Sequence, residues 1–337
     1  MMREPSFWWR EPGIAAHALA PFSALYGAVA QARLRRRGHR ASVPVVCIGN
    51  LTVGGAGKTP TAMTTARILK SMGELPVFLT RGYGGTLAGP LEVDPTHHNA
   101  NLIGDEPLLL ALVAPTIVAR ARPEGADTAA ACGASVIVMD DGFQNPSLAK
   151  DCSLIVLDGE RAIGNGRVFP AGPLRAPLDV QLARASALLV VGEMSAQVQD
   201  VIVGAERPRL PVLQGRLAPD PAVLAALAGQ KVLAFAGIAH PEKFFATLAA
   251  AGIATPVKRA FADHHPFTQS DARELLRLAK RENLLLLTTE KDLARMQGDA
   301  ACAELAAATT SLPVRLEAEA EAFRDIVSGA MRPRSAG

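Results

Sequence analysis

The chain has 337 residues, 49% hydrophobic and 20% charged, with a net charge of +3. That balance excludes intrinsic disorder, and the length suffices for two domains with separate cores. Four widely spaced cysteines (Cys47, Cys132, Cys152, Cys302), with no C-x-x-C pair and no histidine at metal-ligand spacing, count against a disulfide framework or a cysteine metal centre.

The positive charge is concentrated at the start. Arg3, Arg10, Arg33, Arg35, Arg36, Arg37 and Arg40 face only Glu4 and Glu11 within the first forty residues, and no further acid occurs before Glu74. In "FWWREPGIAAHALAPFSALYGAVAQARLRRRGHR", Phe22, Leu25, Tyr26 and Val29 share one helical face. Charges that follow the apolar run argue against a cleaved signal peptide, and His17, Pro21, Gln31 and many alanines weaken a membrane span. An interfacial helix fits best, with Trp8 and Trp9 among lipid headgroups and the arginines on anionic lipid. The plainer alternative is a helix that covers a core and leaves its arginines in water.

From Val43 to about Val191, apolar runs such as "VPVVCIG", "LPVFLTRGYG", "PTIVAR", "ASVIVMDDGFQ", "CSLIVLDG" and "SALLVVG" alternate with helical patterns. Alternation of this kind predicts βαβ units and a mostly parallel sheet with helices on both faces, which binds ligands at the C-terminal ends of its strands. The first such end carries "GNLTVGGAGKTP". Thr52, Val53, Gly54, Gly55, Ala56, Gly57, Lys58 and Thr59 occupy the positions of a phosphate-binding loop. Freed backbone N–H groups would cradle phosphates, Lys58 would reach the β- and γ-phosphates, and Thr59 would ligate Mg²⁺. Thr52 stands where the usual motif begins with glycine. The fold class is therefore P-loop NTPase-like α/β, with a smaller C-terminal α/β domain that starts near Lys231.

Asp140 and Asp141 close an apolar strand and suit Mg²⁺, against a plain pair of turn aspartates. Asp105 and Glu106 open "DEPLLLALV", where helix capping by Asp105 is the simpler reading, although a fixed carboxylate also suits a base. Arg81, Tyr83 and Arg175 lie on glycine-rich loops as phosphate or substrate contacts, or as ordinary solvated loop residues. His264 and His265 in "FADHHPFT" read as turn histidines, weak as metal ligands. "LPVLQGRL" (Leu210–Leu217) and "LPVRL" (Leu312–Leu316) flank the second unit and are expected to pair as a two-stranded hinge. The expected division is 1–40, 41–210, 211–316 and 317–337, with the last segment a helix that packs back on the first domain.

Taken together, "GNLTVGGAGKTP", "TRGYGG", "GDEP", "MDDGFQ", "FPAGPLR", "FAGIAHPEKFF", "FADHHPF" and "LTTEKD" occur in an order that resembles the tetraacyldisaccharide 4'-kinase family of lipid A biosynthesis. The resemblance implies transfer of the ATP γ-phosphate to the 4'-hydroxyl of an acylated glucosamine disaccharide 1-phosphate, giving lipid IVA at the cytoplasmic face of a bacterial inner membrane. It implies Asp105 as base with His264 as partner, and Thr59, Glu106, Asp140 and Asp141 around Mg²⁺. Asn145 departs from the histidine expected there. Neither nucleic acid nor an obligate protein partner is expected. The competing class is a membrane-associated P-loop ATPase or switch acting on a protein partner. A guanine-reading N-K-x-D is missing, since "TTEKD" is out of register.

Overall fold

The computed structural model describes residues 4–204 and 210–331. The β-branched, nearly uncharged runs become β1 (Val45–Asn50), β2 (Pro76–Thr80), β4 (Thr116–Val118), β5 (Val136–Asp140), β6 (Cys152–Asp158) and β7 (Ala187–Val191). A two-residue strand, β3 (Leu91–Glu92), was not expected. Further on come β8 (Val212–Pro219), β9 (Lys231–Ala236), β10 (Ala254–Ala260), β11 (Leu285–Thr289), β12 (Thr309–Leu312) and β13 (Val314–Ala318).

Among the described residues one sheet holds nine strands, in the order β13-β8-β7-β6-β1-β5-β2-β4-β3. Neighbours run parallel except at the two rims, where β3 meets β4 and β13 meets β8 antiparallel. Parallel strands need both faces covered, because each connection returns across a face. Successive residues accordingly feed opposite cores. Val45, Cys47, Ile137 and Met139 point to one side, and Val46, Ile48, Val136 and Val138 to the other. The second sheet, β10-β9-β11-β12, is parallel throughout and divides in the same way, Leu233 and Phe235 against Val232 and Ala234. The fold is thus α/β, as the alternation predicts.

The two flanking extended segments do pair. β8 and β13 run antiparallel, with Val314 opposite Pro219 and Ala318 opposite Gly215. They are not freestanding, however: β8 also lies parallel to β7, so the pair forms the rim of the large sheet. The chain leaves that sheet along β8, builds the second unit and returns along β13. The last described helix, Ala320–Met331, then buries Phe323, Val327 and Ala330 in the same core as Val46, Ile48 and Leu154.

The N-terminal helix Ala20–Leu34 is amphipathic in an unusual sense. Apart from Leu34 at its end, its inward residues are small: the Ser23 hydroxyl accepts a hydrogen bond from the Ala171 N–H at 2.9 Å, and Gly27 lies against Pro177 and Val168. Its bulky residues face out, with Phe22, Leu25 and Val29 exposed by 63%, 69% and 53%. The tryptophans do not join them, contrary to the expectation that both sit among headgroups. Trp8 is buried, donates its indole N–H to the Pro170 carbonyl at 3.0 Å and meets Phe169 edge-on. Trp9 lies beneath the Arg161 guanidinium, 4.6 Å from it. A large ring with one polar handle gains most where both are satisfied, and the Phe169-Pro170 turn offers Trp8 that place. Among the described residues no helix is long and apolar enough to cross a membrane.

Candidate active site

The site grows from the C-terminal edge of the large sheet. After β1 the chain turns through Gly54 (φ 107°) and Gly57 (φ 88°), conformations that residues with a Cβ rarely adopt, and the helix Lys58–Ser71 begins directly. The Asn50 amide donates to the Gly54 carbonyl at 3.0 Å and Lys58 Nζ to the same oxygen at 3.3 Å, which closes the loop. Thr52, at the motif's usual first glycine, bridges antiparallel to Leu174, and its carbonyl accepts from Arg175 Nε at 2.9 Å. An extended residue with a β partner needs no glycine, which explains the departure. Glu4 reaches the same mouth: it pairs with Arg161 at 3.1 Å and occupies the space that a Cβ on Gly54 would fill.

β5 delivers Asp140 and Asp141, and the structure separates them. Asp140 faces the phosphate-loop threonine, with Oδ2 3.5 Å from Thr59 Oγ1. Its Oδ1 is buried without a hydrogen-bond partner. Burial first, then the charges of Glu106 and Asp141, push its pKa up to about 7. Asp141, in the left-handed region at φ 48°, turns instead to Lys58 (3.6 Å) and Arg175 (2.8 Å). Burial opposes ionisation there, but these two cations prevail and bring it down to about 2. Arg175 is thereby drawn to the phosphate loop. Arg81 and Tyr83 stay on the exposed loop after β2, where Tyr83 stands edge-on to His264 with ring centres 5.5 Å apart.

Asp105 is not the helix cap. Gly104, at φ 88°, precedes the helix Asp105–Ala111, and Asp105 is its first residue. Its Oδ1 accepts from the Glu106 N–H at 3.0 Å, and its Oδ2 lies 3.3 Å from His264 Nδ1. Asp105 is 3% exposed. Burial works against its charge, yet the His264 hydrogen bond, Lys291 and Arg295 hold it well below the usual carboxylate range. The same hydrogen bond raises the His264 pKa against the opposing effect of burial. His264 itself adopts φ 54° and is fixed by its N–H to the Gly237 carbonyl at 3.0 Å. His265 turns away and pairs with Asp271 at 3.1 Å. Asn145 accepts from the Ser147 N–H in a local turn.

Two residues had no place in the sequence reading. Lys291 Nζ reaches Glu106 Oε1 at 2.7 Å, and Arg295 Nη2 reaches Asp105 Oδ2 at 2.5 Å. Both come from the helix Glu290–Met296, one turn apart on one face. Burial disfavours the Lys291 ammonium, but Glu106 and Asp105 outweigh it and raise its pKa. The available signal was "TTEKD" itself, a helix start with a cation amid acids.

Among the described residues no three His, Cys, Asp or Glu side chains form a ready-made metal cage. The oxygens present still fit Mg²⁺, which binds few protein groups and takes its remaining ligands from phosphate and water. Thr59 Oγ1 lies 3.5 Å from both Glu106 and Asp140, and the orphaned Asp140 Oδ1 lacks a partner that a cation would supply.

A lysine and threonine that open a helix behind a glycine loop, with a strand-end carboxylate facing the threonine, define a P-loop nucleotide-dependent phosphotransferase. Residues 15–332 match the family model described as Tetraacyldisaccharide-1-P 4'-kinase, so the chain belongs to that family of kinases. It is 54% identical over 315 residues to the Tetraacyldisaccharide 4'-kinase of Nitrobacter winogradskyi, covering 94% of this chain and 93% of that one. The enzyme of the same name from Rhodopseudomonas palustris strain BisA53 is 53% identical over 337 residues, covering 99% and 98%. A crystal structure of LpxK from Aquifex aeolicus in complex with ATP superposes with a TM-score of 0.72 at 26% identity, over 94% of this chain and 99% of that one.

Proposed function

We propose that the chain transfers the γ-phosphate of ATP to the 4'-hydroxyl of tetraacyldisaccharide 1-phosphate. The observation that carries this reading is the meeting of Asp105 and His264 across the cleft at 3.3 Å, beside the phosphate loop. The loop N–H groups and Lys58 bind the triphosphate, and Arg175 stands ready for its charge. Thr59, Glu106 and Asp140 would hold Mg²⁺, with Asp141 positioning Lys58 and Arg175; the ion when bound supplies charge neutralisation at the transferring phosphoryl group. Phosphoryl transfer has a loose transition state, so positioning dominates. Asp105 accepts the hydroxyl proton late, and His264 orients its carboxylate. Tyr83 stands against His264, and it and Arg81, on the same loop, would contact the sugar acceptor.

Residues 41–210 form the P-loop domain in this reading. Residues 211–316 form a smaller domain that closes over it on the β8–β13 pair, excluding water. The exposed Phe22, Leu25 and Val29, followed by the arginine cluster, support a peripheral position on the cytoplasmic face of the inner membrane, where an acylated acceptor would reside. Thin-layer chromatography of γ-labelled ATP products, with lipid acceptor present or omitted, tests the reading. Label is expected in the lipid. Label released only to water favours an ATPase or switch instead. Lys58→Ala and Asp105→Ala should each lower kcat by about 10²–10⁴-fold with the fold intact, and near-wild-type turnover in Asp105→Ala would falsify the base assignment.

A further inference from the structure

Asp105 Oδ2 is gripped twice from the second unit. His264 Nδ1 lies 3.3 Å away, but Arg295 Nη2 is closer, at 2.5 Å. The other arm of that guanidinium, Nη1, donates to Asp292 Oδ1 at 2.8 Å, to the Gly237 carbonyl at 3.2 Å and to the His265 carbonyl at 3.4 Å. Asp292 is fully buried and itself anchored, accepting the Gly237 N–H on both oxygens at 3.1 Å and the Thr289 hydroxyl at 2.7 Å. Gly237 is the node, since its carbonyl also accepts the His264 N–H. One guanidinium therefore holds the carboxylate from the first domain and, through Gly237 and His265, the turn that carries His264.

We infer that Arg295 is a positioning residue for phosphoryl transfer: it locks the His264 turn and the Asp105 carboxylate into one unit when the second domain closes. The inference rests on the reading of Asp105 as base. The task needs a planar fork with two separated arms. A lysine at 295 supplies the charge but cannot span Asp292 and Asp105 together. Since small displacements of a reacting group carry large rate penalties, Arg295→Gln should lower kcat by about 10–100-fold, with the KM for ATP within about threefold. Arg295→Lys should keep a several-fold loss.

The test is a kinetic cycle of Arg295→Gln and Asp105→Asn, singly and combined, with melting curves for each. If Arg295 acts through Asp105, the double variant is no slower than Asp105→Asn alone. Multiplying losses would overturn the inference and leave the base assignment standing, as would wild-type kcat in either Arg295 variant. Full turnover in Asp105→Asn would instead remove the base, and the positioning role with it. Should Arg295→Gln fail to fold, Arg295→Lys replaces it in the same cycle.

Discussion

Asp140 is held in a position that costs the ligand-free protein stability. Its pKa of about 7 means that the folded state binds this proton more tightly than the unfolded chain, whose aspartate titrates near 3.8. Stability from this group is gained as pH falls from above 7 towards 4 and lost as pH rises back through 7. Asp140→Asn, neutral at every pH, should raise Tm by about 2 °C or more at pH 8, with the advantage largely gone near pH 4. Calorimetry at the two pH values checks this, and a gain that ignores pH refutes it. The phosphate-loop residues and the acids of "DDG" were legible as candidates because each follows or closes an apolar strand, and those of "DEP" because they open an apolar helix. Arg295 was not. It lies 190 positions from Asp105, on a seven-residue helix whose charges look like ordinary solvated ones, and only the packing of that helix against the one Asp105 opens gives it a buried partner. Asp105 illustrates the converse: its identity was readable, but Gly104 rather than Asp105 precedes the helix, so the simpler capping explanation falls away.

The helix Ala20–Leu34 inverts the usual pattern, with Ser23 and Gly27 inward and Phe22, Leu25 and Val29 outward. Small residues allow close docking on the 168–177 segment, while the large ones stay exposed, as the proposed membrane contact requires. Burying each of three such side chains contributes roughly 1.5–3 kcal/mol, so replacing all three with serine should weaken vesicle binding by at least about 100-fold. Activity on a detergent-dispersed acceptor should change far less. Sedimentation with anionic vesicles reads the first effect, and unchanged partitioning would show that this face serves another purpose. The 3.6-residue spacing revealed the stripe but not its neighbours. Trp8 was misplaced because nothing in "FWWRE" announces the Phe169-Pro170 turn that receives it, some 160 residues away.

At the scale of the molecule, the two domains meet through ion pairs of unequal worth. Lys243 pairs with Asp158 at 2.6 Å but is half exposed, and such pairs contribute about 0–1 kcal/mol. Lys291 sits deeper, opposite Glu106 and within the field of Asp105 and Asp140. Lys291→Ala should lower the Tm of the metal-free protein by about 2–4 °C, partly restored by MgCl₂, while Lys243→Ala leaves it within about 1 °C. Equal effects from both would mean that the cleft charges do not bind the domains as argued. The pairing of β8 with β13 was readable from two short extended segments; their merger into the large sheet was not, since that depends on β7 presenting an open edge. Glu4, finally, lies against the glycine loop itself. Any side chain grafted onto Gly54 would evict that carboxylate and unseat its Arg161 partner, so the nucleotide's doorway tolerates no bulk at this glycine.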